Sequence, residues 1–195
     1  MMRRIFFTIA ILLFSWNVFS QGIQFEIGSW KEVLQKAKQE NKLIFVDLYT
    51  TWCGPCKKMA AETFPQQAVG DYFNKNFVNY KIDAEKGEGP ELAGKYEVSA
   101  YPTLVFVNAA GELVYKFMGV RTADKLIAEG EKAVRLYALA PSIAAMEKEY
   151  EQGKRGKVFL GEYYALLKES GAGGGIVLNE YLKCLSDEEL LLEEN

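Results

Sequence analysis

Residues 42–59, KLIFVDLYTTWCGPCKKM, constrain this chain more than any other stretch. An apolar run from Leu43 to Tyr49 is broken by one carboxylate, Asp47. It gives way to Thr50-Thr51-Trp52 and then to Cys53-Gly54-Pro55-Cys56. A run that is apolar at successive positions suits a central strand covered on both faces. Two cysteines three apart share one face only if the backbone there is a helical turn, where they are close enough to form a short disulfide ring. Pro55 suits a first helical turn, because it has no N–H to leave unpaired. At a helix N-terminus, unpaired N–H groups and the helix dipole favour a thiolate on Cys53. The spacing therefore predicts Cys53 as an attacking thiol and Cys56 as the thiol that resolves a mixed disulfide.

The competing use of a C-x-x-C pair is half of a zinc site, which needs two further ligands. The chain has no histidine and one other cysteine, Cys184, so no metal is expected. The same lack of histidine removes Cys-His, Ser-His and histidine-metal chemistry. A net charge of −3 without a long basic run gives no footing for nucleic acid or an anionic membrane surface. At 195 residues, 49% hydrophobic, one domain with an appendage is the expected organisation.

The first twenty residues stand apart. Met1-Met2-Arg3-Arg4 is a positive start, residues 5–14 form an apolar core, and Val18-Phe19-Ser20 precedes Gln21 as a cleavage site. This pattern predicts a secretory signal peptide over residues 1–20. The alternative is an uncleaved anchor, but the apolar run falls short of the ~20 residues a span needs. Cleavage would leave no stable membrane insertion and deliver the chain to an oxidising compartment, expected to be a bacterial periplasm.

The remaining pattern alternates strands and helices. Residues 23–27 predict a first strand, and Ser29 with Glu32 a capping box. Trp30, Val33, Leu34 and Ala37 give a helix ending near Asn41. The helix opened by the cysteines should stop or bend near Thr63-Phe64-Pro65. A short helix over 66–74 turns Val69 and Phe73 inward, and a strand follows over 77–82. After a polar loop, residues 91–96 predict a short helix, and 104–107 and 113–117 a hairpin. Residues 122–139 form a last helix with Leu126, Ile127, Val134 and Tyr137 inward. Residues 140–195 read as an all-α extension of three helices with a glycine-rich joint at 171–175 and a further capping box at Ser186 and Glu189. Its first two helices, to Lys168, are expected to dock on the preceding domain, and residues 176–195 to be mobile or held by a partner. Cys184 is expected to be a small buried residue.

WCGPCK after a β-rich run, with an aspartate six positions before the first cysteine, resembles the thioredoxin family over residues 22–139. The order βαβαβαββα matches that α/β fold with its additional N-terminal strand and helix. The break near Pro65 is similar to the periplasmic thioredoxin-like domain of transmembrane thiol reductases. The resemblance implies that Pro102 is a cis proline that turns the Tyr101 backbone towards the cysteines. It also implies a substrate groove of Trp52, Gly54, Pro55, Tyr101, Pro102 and Gly119, with plain packing as the lesser alternative for Trp52. Asp47 is either a structural strand-end carboxylate or a desolvated base that takes the Cys56 proton. The family's lysine beside that aspartate is expected to be replaced here by Asn79. The implied activity is reduction or isomerisation of protein disulfides, with no cofactor beyond the two thiols. A membrane thiol reductase is the implied electron donor. Net oxidation, or a redox-sensing module whose C-terminal helices recruit a partner, are the alternatives.

Overall fold

The computed structural model describes residues 22–171, 173–186 and 189–190. The leader expected at residues 1–20 lies outside them, as do Leu191 and Leu192 at the end of the last expected helix.

Two strands of equal length form the centre. β2 (Leu43–Tyr49) and β3 (Phe77–Asp83) run parallel and pair in phase from Leu43↔Phe77 to Tyr49↔Asp83. β1 (Phe25–Glu26) adds parallel to β3. β4 (Thr103–Val107) lies antiparallel to β2, and β5 (Leu113–Met118) antiparallel to β4. The sheet order is therefore β1-β3-β2-β4-β5.

Alternation along β2 divides its side chains between two cores. Ile44, Val46 and Leu48 face α1 (Trp30–Glu40) and α4 (Gly89–Lys95), packing with Val33, Ala37, Leu92 and Tyr96. The capping box is present: Ser29 Oγ accepts from the Glu32 N–H, and Glu32 accepts from the Ser29 N–H at 2.7 Å. Leu43 and Phe45 face the other way, towards Met59, Val69, Phe73 and Leu126. This second core is aromatic at its centre, with Phe45 4.7 Å from Phe73 and Phe106 5.2 Å from Phe77 between ring centroids.

The helix after the cysteines breaks where Pro65 requires. α2 (Gly54–Lys58) passes into a π-helical turn, Met59–Thr63, closed by the Phe64 N–H on Met59 O at 3.0 Å. Thr63 Oγ1 donates to Arg121 O at 2.9 Å and ties the break to the next loop. α3 (Gln67–Asn76) then covers the aromatic core with Val69, Gly70 and Phe73 buried, as expected for Val69 and Phe73.

The last helix departs from expectation. α5 spans Ala123–Glu151 without a stop at Leu139 and carries Pro141 inside it. Its buried stripe is Leu126, Gly130 and Ala133, whereas Val134 and Tyr137 are exposed. Gly130 allows the close approach of α3, since a Cβ there would sit 2.8 Å from the Tyr72 ring. The docking expected for the extension is replaced by a separate small core. α6 (Lys157–Ser170) and α7 (Gly175–Leu182) bury Phe159, Leu160, Tyr163, Leu167 and Val177 against Ile143, Met146 and Tyr150 of α5. Residues 176–182, expected to be loose, are thus packed on α6. Cys184 is exposed rather than buried, because it lies beyond the last turn of α7.

Candidate active site

The strand ends gather the site at one end of the sheet. β2 delivers Thr50 and Trp52 immediately after Tyr49, and Cys53 caps α2 with an extended backbone. Its Sγ accepts from the Cys56 N–H at 3.1 Å, so the first turn of the helix points an amide at this sulfur. Cys53 and Cys56 form a disulfide, with Cα atoms 5.3 Å apart, and both are buried. Gly54 and Pro55 between them are exposed and form the outer face of the turn.

The second wall comes from the hairpin. The Tyr101–Pro102 peptide is cis, and Pro102 precedes β4, whose first residue, Thr103, pairs with Leu48 of β2. Gly119 has a positive φ of 89° and donates its N–H to Pro102 O at 2.9 Å. A side chain at Gly119 would require a backbone conformation that favours glycine. Trp52 is 67% exposed, so plain packing does not account for it. Its indole meets the Tyr101 ring edge-on at 6.0 Å between centroids, and Nε1 donates to both carboxylate oxygens of Glu85 at 3.0 Å. Glu85, on the loop after β3, had no signal in the sequence.

Asp47 lies two residues before the end of β2 and is only 2% exposed. It shares a sheet face with Phe45, the face that α2 and the π-helical turn cover. Its Oδ1 has no hydrogen-bond partner among the described residues. Burial pushes its carboxyl up to about 7, against the opposing pull of the Lys81 ammonium. Lys81 is the register partner of Asp47, which corrects the assignment of that position to Asn79. Asn79 pairs with Phe45, one step further back, and donates to Gln24 O and Asn74 Oδ1, where it anchors the N-terminal strand. β2 and β3 have equal lengths and run in phase, so the fifth residue of one faces the fifth of the other. The Lys81 ammonium lies 4.7 Å from the centroid of the Tyr49 ring. A pocket of about 230 Å³ opens beside it, lined by Tyr49, Thr50, Thr51, Cys56, Lys57, Ala60 and Lys81.

This arrangement can exchange one disulfide bond for another. A disulfide opens α2 directly after the exposed Trp52 ring, and the strand leading into it carries a buried carboxyl that burial pushes up to about 7. Comparison with known proteins agrees. The thioredoxin family model matches residues 23–132. The chain is 38% identical over 95 residues to thioredoxin H4 of Arabidopsis thaliana, covering 49% of this chain and 75% of that protein. It is 31% identical over 88 residues, 45% of its length, to the protein disulfide-isomerase of Datisca glomerata, but spans only 17% of that much longer protein. The solution structure of a disulphide-isomerase candidate from Bacteroides thetaiotaomicron is 50% identical, with a TM-score of 0.54, covering 58% of this chain and 94% of that one.

Proposed function

Because the chain belongs to the thioredoxin family, we propose that it is an exported thiol–disulfide oxidoreductase that reduces or isomerises protein disulfides. The observation that carries this reading is the buried Cys53–Cys56 pair at the start of α2, preceded by the exposed Trp52 that meets Tyr101 and by the buried Asp47 of β2.

In the reduced protein, the Cys53 thiolate attacks one sulfur of a client disulfide. A Cys53–client bond forms, and the other client sulfur leaves with the bonding electron pair and takes up a proton. The Cys56 thiol then loses its proton to Asp47 and attacks Cys53 Sγ. The Cys53–Cys56 bond re-forms, the second client thiol leaves, and two electrons have passed to the client. Asp47 suits the transfer because its carboxyl is poised near neutral pH. An extended client segment would lie along the surface that Trp52 and Tyr101 form beside the cysteines. With no histidine between the cysteines to stabilise the thiolate further, the reducing direction is favoured.

The leader pattern of residues 1–20 supports export to a periplasm. There the oxidised pair needs a donor, and a membrane thiol reductase supplies electrons of the right class. The test is insulin reduction by the protein lacking residues 1–20. Wild type should precipitate insulin chains in the presence of dithiothreitol, and Cys53→Ser should lose the activity. Residual turnover above a few per cent in that variant would remove Cys53 as the nucleophile.

A further inference from the structure

The C-terminal three-helix cluster holds a cavity that the redox chemistry does not use. It has a volume of about 340 Å³, and its walls include Glu147, Tyr150 and Glu151 of α5, Tyr163 of α6, and Ile176 and Val177 of α7. Tyr163 is only 5% exposed, yet its hydroxyl has no hydrogen-bond partner among the described residues. A buried tyrosine ordinarily finds a partner for that group, so its absence needs an explanation. Burial, and then the charges of Glu147, Tyr150 and Glu151, raise this hydroxyl above the ordinary tyrosine value. To feel those carboxylates it must look towards the acidic wall of the cavity. Glu147 and Glu151 stand one helical turn apart, a spacing at which like charges repel. Neither meets a lysine or arginine among the described residues. The connection from α5 to α6 supplies two basic side chains, but both are engaged elsewhere. Lys154 pairs with Glu149, and Arg155 pairs with Glu180 at 2.7 Å and lies 3.5 Å from the Tyr150 ring centroid. Neither lines the cavity.

We propose that this cavity receives a lysine side chain of a partner polypeptide. An ammonium carries three N–H donors, one for each carboxylate and one for the Tyr163 hydroxyl, which accepts. Its charge relieves the repulsion between Glu147 and Glu151, and the Tyr150 and Tyr163 rings offer faces that attract a cation. The four-carbon stem lies along Ile176 and Val177, as lysine stems do on apolar surface. Ile176 is 74% exposed at the rim. That bare apolar rim assigns the cation to a polypeptide, whose neighbouring residues would cover it, rather than to a small free amine, which would leave it in water. The site belongs to the core built from Ile143 onward. It is therefore separate from the cysteines and does not rest on the redox reading.

The test is a titration of the isotope-labelled, oxidised protein with the peptide acetyl-Leu-Lys-Leu-amide, followed by the backbone amide signals in NMR. Shifts should concentrate on residues 147–151, Tyr163 and residues 174–177. The same peptide with its lysine acetylated should leave those signals in place. Cadaverine, a free amine of similar stem, should bind about tenfold more weakly than the peptide. Replacing both acids, Glu147→Gln with Glu151→Gln, should weaken the peptide about tenfold, the sum of two exposed ion pairs. Tyr163→Phe keeps the ring and removes the hydroxyl, and should also weaken it about tenfold. Equal binding of the acetylated peptide, or affinity within twofold of wild type in the glutamine pair, overturns the site. Cadaverine binding as tightly as the peptide overturns the polypeptide occupant. Should Tyr163→Phe disturb the cluster, the glutamine pair on the exposed side of α5 still decides the matter. Cys53→Ser should bind the peptide as wild type does, and a loss there would move the contact to the cysteines and overturn the assignment. The glutamine pair should reduce insulin at the wild-type rate, so failure of either reading leaves the other standing.

Discussion

Asp47→Asn is the substitution whose consequence the structure specifies most fully. In the unfolded chain this carboxyl gives up its proton near its usual 3.8, and in the native protein it holds it to about 7. Between those values the native state binds more protons than the unfolded state, so native stability falls as pH rises through the window. The loss is complete above pH 7. At about 1.4 kcal/mol per pH unit, the rise corresponds to about 4 kcal/mol of stability withheld by the ionised carboxylate. The amide of Asp47→Asn does not titrate, so whatever it costs to bury is the same at every pH. Urea unfolding of both oxidised proteins at pH 4.5 and pH 8 therefore isolates the carboxylate. Fluorescence is a suitable signal, because Trp30 packs in the sheet core and Trp52 sits at its end. Relative to wild type, Asp47→Asn should gain about 3 kcal/mol on going from pH 4.5 to pH 8, since part of the loss has already occurred at the lower pH. A relative stability that stays within about 1 kcal/mol across the two conditions would refute the reasoning. It would mean that the ionised carboxylate finds compensation in the native state.

Further outcomes follow from the same structure. The Cys53–Cys56 couple should titrate against glutathione below about −200 mV, nearer thioredoxin than the strong oxidants near −120 mV, and a value near the latter would reverse the direction of electron flow. Gly89→Ala should destabilise the protein by roughly 1–3 kcal/mol or more in urea titration, because a Cβ at Gly89 would lie 1.9 Å from Asp83 O at the end of β3. Ending the chain after Gln152 should leave the fluorescence-detected unfolding of the sheet within about 1 kcal/mol of wild type. The core that α6 and α7 build contains only residues from Ile143 onward, so a larger drop would show that they support the sheet after all.

Much of the fold could be read from local pattern. The two-sided apolar run set the bounds of β2 at Leu43 and Tyr49, and Pro65 marked the break after the cysteines because proline restricts the residue before it. What failed depends on relations between elements. Asn79 was confused with Lys81 because register is a property of two strands, and a slip of two residues preserves the face. Val134 and Tyr137 fit a helical stripe, but α5 stops facing the sheet after Ala133, and periodicity does not report where a neighbour ends. The helix was expected to end at residue 139, two positions before Pro141. In the structure it lies within α5, next to a stretch where Tyr137 is exposed and its freed carbonyl can turn to water. At the site, the cysteines, Asp47 and Pro102 carried their own signals in residue type and spacing. Glu85 did not, since a loop carboxylate becomes meaningful only once its surroundings are known.

The continuity of α5 has a geometric consequence. Twenty-nine residues of helix amount to a rod of about 43 Å, its first half seated on the sheet and its second half bearing the three-helix cluster. The helix runs on through Pro141 between the two, so the heading of the cluster with respect to the disulfide is written in the count of residues between Ala133 and Ile143. Adding one residue there would swing the cluster by about 100° and advance it by about 1.5 Å, whereas adding seven would nearly restore the heading and only lengthen the reach. The segment works as a protractor as well as a spacer. A chain that varied here would be free to change its span in steps of two turns, but not its aim.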